Sequence, residues 1–423
     1  MKAIDFGNKL TEKNNCYYYL RTIFSKISIK HNIVCLLLAL FFITAPLKYN
    51  LNSISVILLL GYSVVKYKDF KVKKFWEFYP FYLYYFIVCF SIFYTANIEN
   101  GFKYFLNQVP FLIFPFIFST ITVKEKALKK IIRIYIYWIC ALIIYSELST
   151  IWSILANGDS LFLLFRKDYS YIDLANKIDI HPPYMMLQVS FCIIYLISNF
   201  KTSSIHKFLS IAILLLMFFY SVHLSSRMPL AALVLVSIFL TYLKFKTPYG
   251  KIKTVFSLIL LGLVFSFILF NVRSTRYRFQ ELIGMQYSNG VYIKSGYSKI
   301  IQWESAIEGN KNFIFGNGAG DANQSIIESN YKNNLLKSAR LSYNAHNQYI
   351  QTYVGIGIIG VVILLFLLYS SFLQPSKKLL YLTAKAFIIY LIIVFMTESY
   401  LERHHGIMFV SFILCLFNSK EDR

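Results

Sequence analysis

Charge is scarce in this chain. Asp, Glu, Lys and Arg make up 15% of its 423 residues, against about 25% in a typical soluble protein. Acidic groups are the rarer, 20 Asp+Glu against 43 Lys+Arg. The low charge excludes a disordered, solvated chain and an ordinary soluble enzyme. The six Cys (Cys16, Cys35, Cys89, Cys140, Cys192 and Cys415) form no CxxC pair. Five lie in apolar stretches and Cys16 in a basic tail, so neither a disulfide framework nor a zinc site is implied. No DxD motif occurs, so nothing calls for a divalent metal on a nucleotide diphosphate, and neither a metal nor a cofactor is expected. The turn FGNGAGDANQ, with Gly316, Gly318 and Gly320, lacks the Lys-Ser/Thr of a phosphate loop and is read as a tight, flexible turn. No internal repeat argues for an inverted-repeat transporter. No cleavable signal peptide is visible: a polar, basic beginning runs into an apolar segment long enough to remain as a helix.

Apolar and aromatic residues are plentiful. Hydrophobic residues, counting Tyr, make up 57%, aromatics are 18% with 40 Phe and 34 Tyr, and mean hydropathy is +0.54. The expected class is an all-α polytopic membrane protein, because backbone groups in lipid must be satisfied within each segment and these runs do not alternate as barrel strands do. Twelve candidate spans are read at 32–47, 51–65, 76–95, 102–121, 131–155, 184–200, 208–224, 229–243, 255–272, 349–372, 379–398 and 406–418. With the N-terminus in the cytoplasm, the inward segments hold 26 Lys or Arg and the short outward loops 7. That is the bias expected of cytoplasmic loops, and it gives the +23 net charge a membrane cause rather than a nucleic-acid partner. The organisation that follows has residues 1–272 carrying spans 1–9, residues 273–348 forming a large outward (periplasmic) loop with short helices, and residues 349–423 carrying spans 10–12.

The outward loop holds nine basic residues against five acidic ones, a balance suited to a lipid headgroup or phosphate. SKIIQWESAIEG at 298–309 has helical periodicity, with Ile300, Ile301, Trp303 and Ile307 on one stripe, and is predicted to lie along the membrane surface with Lys299 near headgroup depth. His346, in NAHNQYIQTYVGIGIIG, stands just before span 10. Histidine is the side chain that exchanges a proton near neutral pH. Arg227 stands in SSRMPLA, a turn of a few residues between two apolar spans. A guanidinium there either snorkels to headgroups or offers a planar fork to phosphate oxygens.

Taken in order, the SSR turn opening an apolar helix, a basic residue four before a Trp, the GxGxG-like turn and HNQYIQTYVGIGIIG resemble the O-antigen ligase superfamily over roughly residues 208–371. The resemblance implies a multispanning glycosyltransferase of the bacterial inner membrane with its site facing the periplasm. Such enzymes move a glycan from undecaprenyl pyrophosphate to an acceptor, lipid A–core for a ligase or another lipid-linked glycan for a polymerase. It implies His346 as the essential base and Arg227 as a pyrophosphate contact. The family's loop Arg falls on Lys299, a departure that leaves Lys299, Arg340 or Arg278 as the second cation. HPPYMM, with His181, and ESYLERHHG, with Glu398, Glu402 and Arg403, resemble segments of one branch of the family and add possible site residues. A transporter or flippase for lipid-linked glycans is the competing class. It would place charged residues inside several spans, where Lys385 is the main one.

Overall fold

The computed structural model describes residues 29–200, 205–245, 250, 285–288, 291–294, 299–373 and 379–419. The chain folds into helices α1 (Ile29–Thr44), α2 (Tyr49–Val65), α3 (Val72–Glu77), α4 (Tyr79–Ser91), α5 (Ile98–Gln108), α6 (Pro110–Thr120), α7 (Glu125–Ala156), α8 (Ile172–Asn176), α9 (Pro182–Ser198), α10 (Lys207–His223) and α11 (Arg227–Phe245). After a short hairpin, β1 (Met285–Ser288) and β2 (Val291–Lys294), come α12 (Lys299–Glu308), α13 (Ala322–Lys332), α14 (Leu336–Arg340), α15 (Gln348–Leu373), α16 (Tyr381–Phe395) and α17 (His404–Asn418).

Eleven of the twelve apolar segments fall on helices, and the twelfth, 255–272, lies outside the described residues. Three helical stretches, Ile98–Thr120, Glu125–Ala156 and Gln348–Leu373, are long and apolar enough by themselves to cross a membrane, and eight further apolar helices are shorter. Pro110 breaks one candidate span into α5 and α6: proline lacks the N–H that would continue the ladder, and it suits the first turn of the new helix. Another, 76–95, is divided between the end of α3 and α4.

The centre of the bundle is α9. It is apolar all round, and every residue from Pro182 to Leu196 is buried, as is Ser198. It packs against α11 and α16. Its one amide, Gln188, is satisfied by Tyr135 Oη donating at 2.8 Å and by its own Nε2 donating to the Ala45 carbonyl at 3.2 Å, as a buried polar group requires. The hairpin pairs Met285 with Lys294 and Ser288 with Val291. Its signal was present in the sequence, where Asn289-Gly290 separates the two strands, the usual two-residue hairpin pair.

Helix α15 is broken at Gly357, whose φ is +71°. The glycine-rich segment fills the break: Asn317 N donates to Val354 O at 2.8 Å, Gly318 N to Gly355 O at 3.0 Å, and Ile358 N to Phe313 O at 3.0 Å. A Cβ on Gly316 would strike the Gly355–Gly357 backbone, and one on Gly357 the Ile314 carbonyl. The glycines therefore serve close backbone approach, and the segment expected to be a flexible turn is a wedge that satisfies the interrupted helix. Asp321 fixes the far side of this wedge, its two oxygens accepting from Ala96 N at 2.6 Å and Asn97 N at 2.9 Å at the start of α5.

Candidate functional site

The connections after α8, α10 and α16 meet the start of α12 and the segment before α15 at one end of the bundle. They enclose a cleft of about 730 Å³. His346, Arg227, Lys299, His181, Glu398, Glu402 and Arg403 all line it. Of the residues expected at the site, Arg340 is the exception: it is exposed and lies outside the cleft, while Lys337, three residues earlier on α14, lines it. Arg278 falls outside the described residues.

The polar residues of HNQYIQT divide the work of holding His346. Asn347 Oδ1 caps α15 by accepting from Tyr349 N at 3.0 Å and Ile350 N at 3.1 Å. Gln351 Oε1 accepts from Ala345 N at 3.0 Å, and its Nε2 donates to Asn323 on α13 at 2.7 Å. Gln348 Oε1 accepts from Leu401 N at 2.7 Å, and Gln108 donates to the Leu401 carbonyl at 2.7 Å. The two glutamines pin the segment that bears Glu398 and Glu402 beside the start of α15. Each amide is thus spent on positioning.

His346 Nδ1 faces Glu398 Oε2 at 3.4 Å, and the Tyr343 ring meets the imidazole edge-on at 5.3 Å. Burial pushes the Glu398 carboxyl up, but the hydrogen bond from His346 and the charges of His346, Lys299 and His181 outweigh it and hold the group below the usual carboxylate range. With Nδ1 on the carboxylate, Nε2 is the nitrogen left for chemistry. Lys299 Nζ donates to the Thr397 carbonyl at 2.6 Å, just past the end of α16. The stripe around Lys299 divides: Ile300 and Ile307 stay exposed, while Ser305 and Ala306 are buried and α12 packs against α13.

Arg227 opens α11 two residues after Ser225, whose φ is +49°. Six non-glycine residues among the described ones have positive φ, and four of them (Tyr171, Ser225, Ser342 and His346) line the cleft. Such conformations cost about 1–3 kcal/mol each and collect where the surrounding structure enforces a functional geometry. No sequence signal marked them. A second pair was also missed. His223, four residues before Arg227, places Nδ1 3.0 Å from Glu147 Oε2 on α7 and Nε2 2.9 Å from the Leu164 carbonyl, with the imidazole fully buried. The signal was a Glu inside a strongly apolar helix, which needs a named partner.

In outline this is a mainly helical protein of membrane type, whose connecting segments build one cationic cleft with an oriented histidine. Residues 212–365 match the family model described as O-antigen ligase, so the chain is similar to the O-antigen ligase superfamily over the stretch that carries Arg227, Lys299 and His346. No curated protein matches the chain.

Proposed function

We propose that the protein is a membrane glycosyltransferase that moves a glycan from undecaprenyl pyrophosphate to an acceptor on the periplasmic side of the inner membrane, with lipid A–core as acceptor. The observation that carries this reading is the convergence of His346, Arg227 and Lys299, which come from three distant parts of the chain, in one cleft. The family match supports it.

The chemistry follows from the groups present. An acceptor hydroxyl gives its proton to His346 Nε2 as its oxygen bonds to the anomeric carbon. The bond from that carbon to the pyrophosphate oxygen breaks, and the lipid pyrophosphate leaves with the electron pair. Attack opposite the leaving group inverts the anomeric centre. The imidazolium that forms is held by the Glu398 carboxylate. The leaving group is a weak base, so it needs cations rather than an acid, and Arg227 with Lys299 supplies them as the charge develops. Lys337 replaces Arg340 as the further cation lining the cleft.

The test compares surface glycans of a strain lacking the protein with transfer by the purified protein from a lipid-linked donor. Loss of long chains from lipid A–core, with lipid-linked polymer accumulating, is expected. Chains of a single repeat unit would make the protein a polymerase. Transfer by neither route, with lipid-linked glycan trapped on the cytoplasmic side, would replace the transferase with a flippase.

A further inference from the structure

The cleft holds two kinds of polar group. One kind is charged and suits the leaving group: Arg227, Lys299 and Lys337. The other is His181 and Glu402, which the reaction as written does not use. Both line the same cleft as His346, and each has one buried polar atom, His181 Nδ1 and Glu402 Oε1, that makes no hydrogen bond within the described residues. Unmatched buried polar atoms are costly and call for an explanation. His181 Nε2 makes no hydrogen bond within the described residues and is not among the sealed atoms, so it is the nitrogen that opens to the cleft.

We propose that His181 and Glu402 form the acceptor subsite, hydrogen-bonding sugar hydroxyls that flank the hydroxyl deprotonated by His346. This rests on the transferase reading and adds the half of the site that reading leaves empty. The charge states suit neutral ligands. Burial, aided by Arg403 and His346 and opposed by Glu398, lowers His181 to about 4. Burial raises Glu402 to about 8, against a hydrogen bond from Tyr104. The other ionisable groups acting with Glu402 are the phenols of Tyr84 and Tyr184, from α4 and α9, with Arg403 next in the chain. At neutral pH the imidazole and the carboxyl are both uncharged. A sugar hydroxyl donates and accepts, and so meets either one without the desolvation cost of a buried charge. Pyrophosphate would gain nothing there over the cations beside it. A site built to bond a hydroxyl discriminates strongly against acceptors lacking it.

The experiment uses the full-length protein in lipid nanodiscs, purified lipid-linked donor, and as acceptors lipid A–core and the lipid-linked glycan, each tried separately. His181→Gln and Glu402→Gln should raise the KM for the acceptor about three- to tenfold each, the cost of one neutral hydrogen bond, with the KM for the donor unchanged. In the wild type the acceptor KM should rise as pH climbs through about 8, because the raised carboxyl is neutral below that value and ionised above it. Glu402→Gln should remove that dependence. If both variants leave the acceptor KM unchanged, or raise the donor KM instead, the subsite is wrong while the transferase stands. If either variant folds poorly, the wild-type pH dependence decides alone, and a flat acceptor KM between pH 7 and 9 overturns the proposal. A wild type inert toward both acceptors removes the transferase reading, and this subsite with it.

Discussion

Among the described residues lie two histidine–glutamate pairs, with opposite fates. His223–Glu147 is closed: Nδ1 is 3.0 Å from the carboxylate, Nε2 is 2.9 Å from the Leu164 carbonyl, and the ring is 0% exposed. His346–Glu398 is open: one nitrogen faces the carboxylate at the longer 3.4 Å, and the side chain is 28% exposed in a cleft. A carbonyl only accepts, so His223 Nε2 must carry a proton. The carboxylate occupies the other nitrogen, Nδ1. No lone pair is left for a substrate. A histidine beside a carboxylate is therefore a base only when its other nitrogen keeps a free lone pair to take a proton. What the closed pair does instead is mechanical. It ties α7, the segment at Leu164 and the end of α10 together four residues before Arg227.

The comparison breaks most visibly through His346→Ala. Removing a positioned base typically costs about 10²–10⁴-fold, so transfer should nearly vanish while the protein inserts and melts as the wild type does. Near-normal transfer by correctly inserted variant would show that the open pair is only structural. His223→Ala should do the reverse. It leaves Glu147 buried without its partner, a loss of about 3–5 kcal/mol in measured cases. Thermal unfolding in detergent should fall sharply, and activity should fall with the amount of folded protein. Unchanged stability with lost turnover would assign the chemistry to His223 after all.

Arg227→Lys sharpens the contrast at the turn the closed pair supports. The swap keeps the charge and loses the planar fork. If Arg227 binds two phosphate oxygens, turnover should drop about tenfold or more, the value of a charge-assisted hydrogen bond. A silent swap at normal expression would make Arg227 an anchor to headgroups.

The helical class and eleven helix positions were legible because apolar runs of this length have few other solutions. The open pair was half legible. His346 stood out by its place before α15, but its partner Glu398 lies 52 positions away and nothing local joins them. The closed pair left one sign, Glu147 inside an apolar helix, but nothing in the sequence names His223 as its partner. The glycines at 316, 318 and 320 were assigned to a turn, and their role as a wedge depends on Gly357, which periodicity reads as ordinary helix. The four strained residues around the cleft left no trace because positive φ at Tyr, Ser and His is imposed by tertiary packing rather than by local preference.

The smallest expected effect separates two cations three residues apart on α14. The sequence offers Arg340 as a candidate to assist Lys299 and does not single out Lys337. The fold separates them, because α14 is a short helix of five residues, Leu336–Arg340, with Ser338 and Ala339 as its buried side. Lys337 comes to the cleft wall, where Gln302 bonds the neighbouring Ser338 hydroxyl at 3.1 Å. Arg340 ends the helix exposed and outside the cleft. A solvated cation contributes little beyond a screened field, since the Debye length near physiological salt is about 8 Å. Arg340→Ala should therefore keep transfer within about twofold, in line with the small worth of exposed charges. Lys337→Ala should raise the donor KM by a few-fold and leave the acceptor KM alone, with the effect shrinking as salt is added. If instead Arg340→Ala is the damaging change, α14 must turn by part of a rotation when donor binds, and Arg340 takes the place of the family's loop Arg.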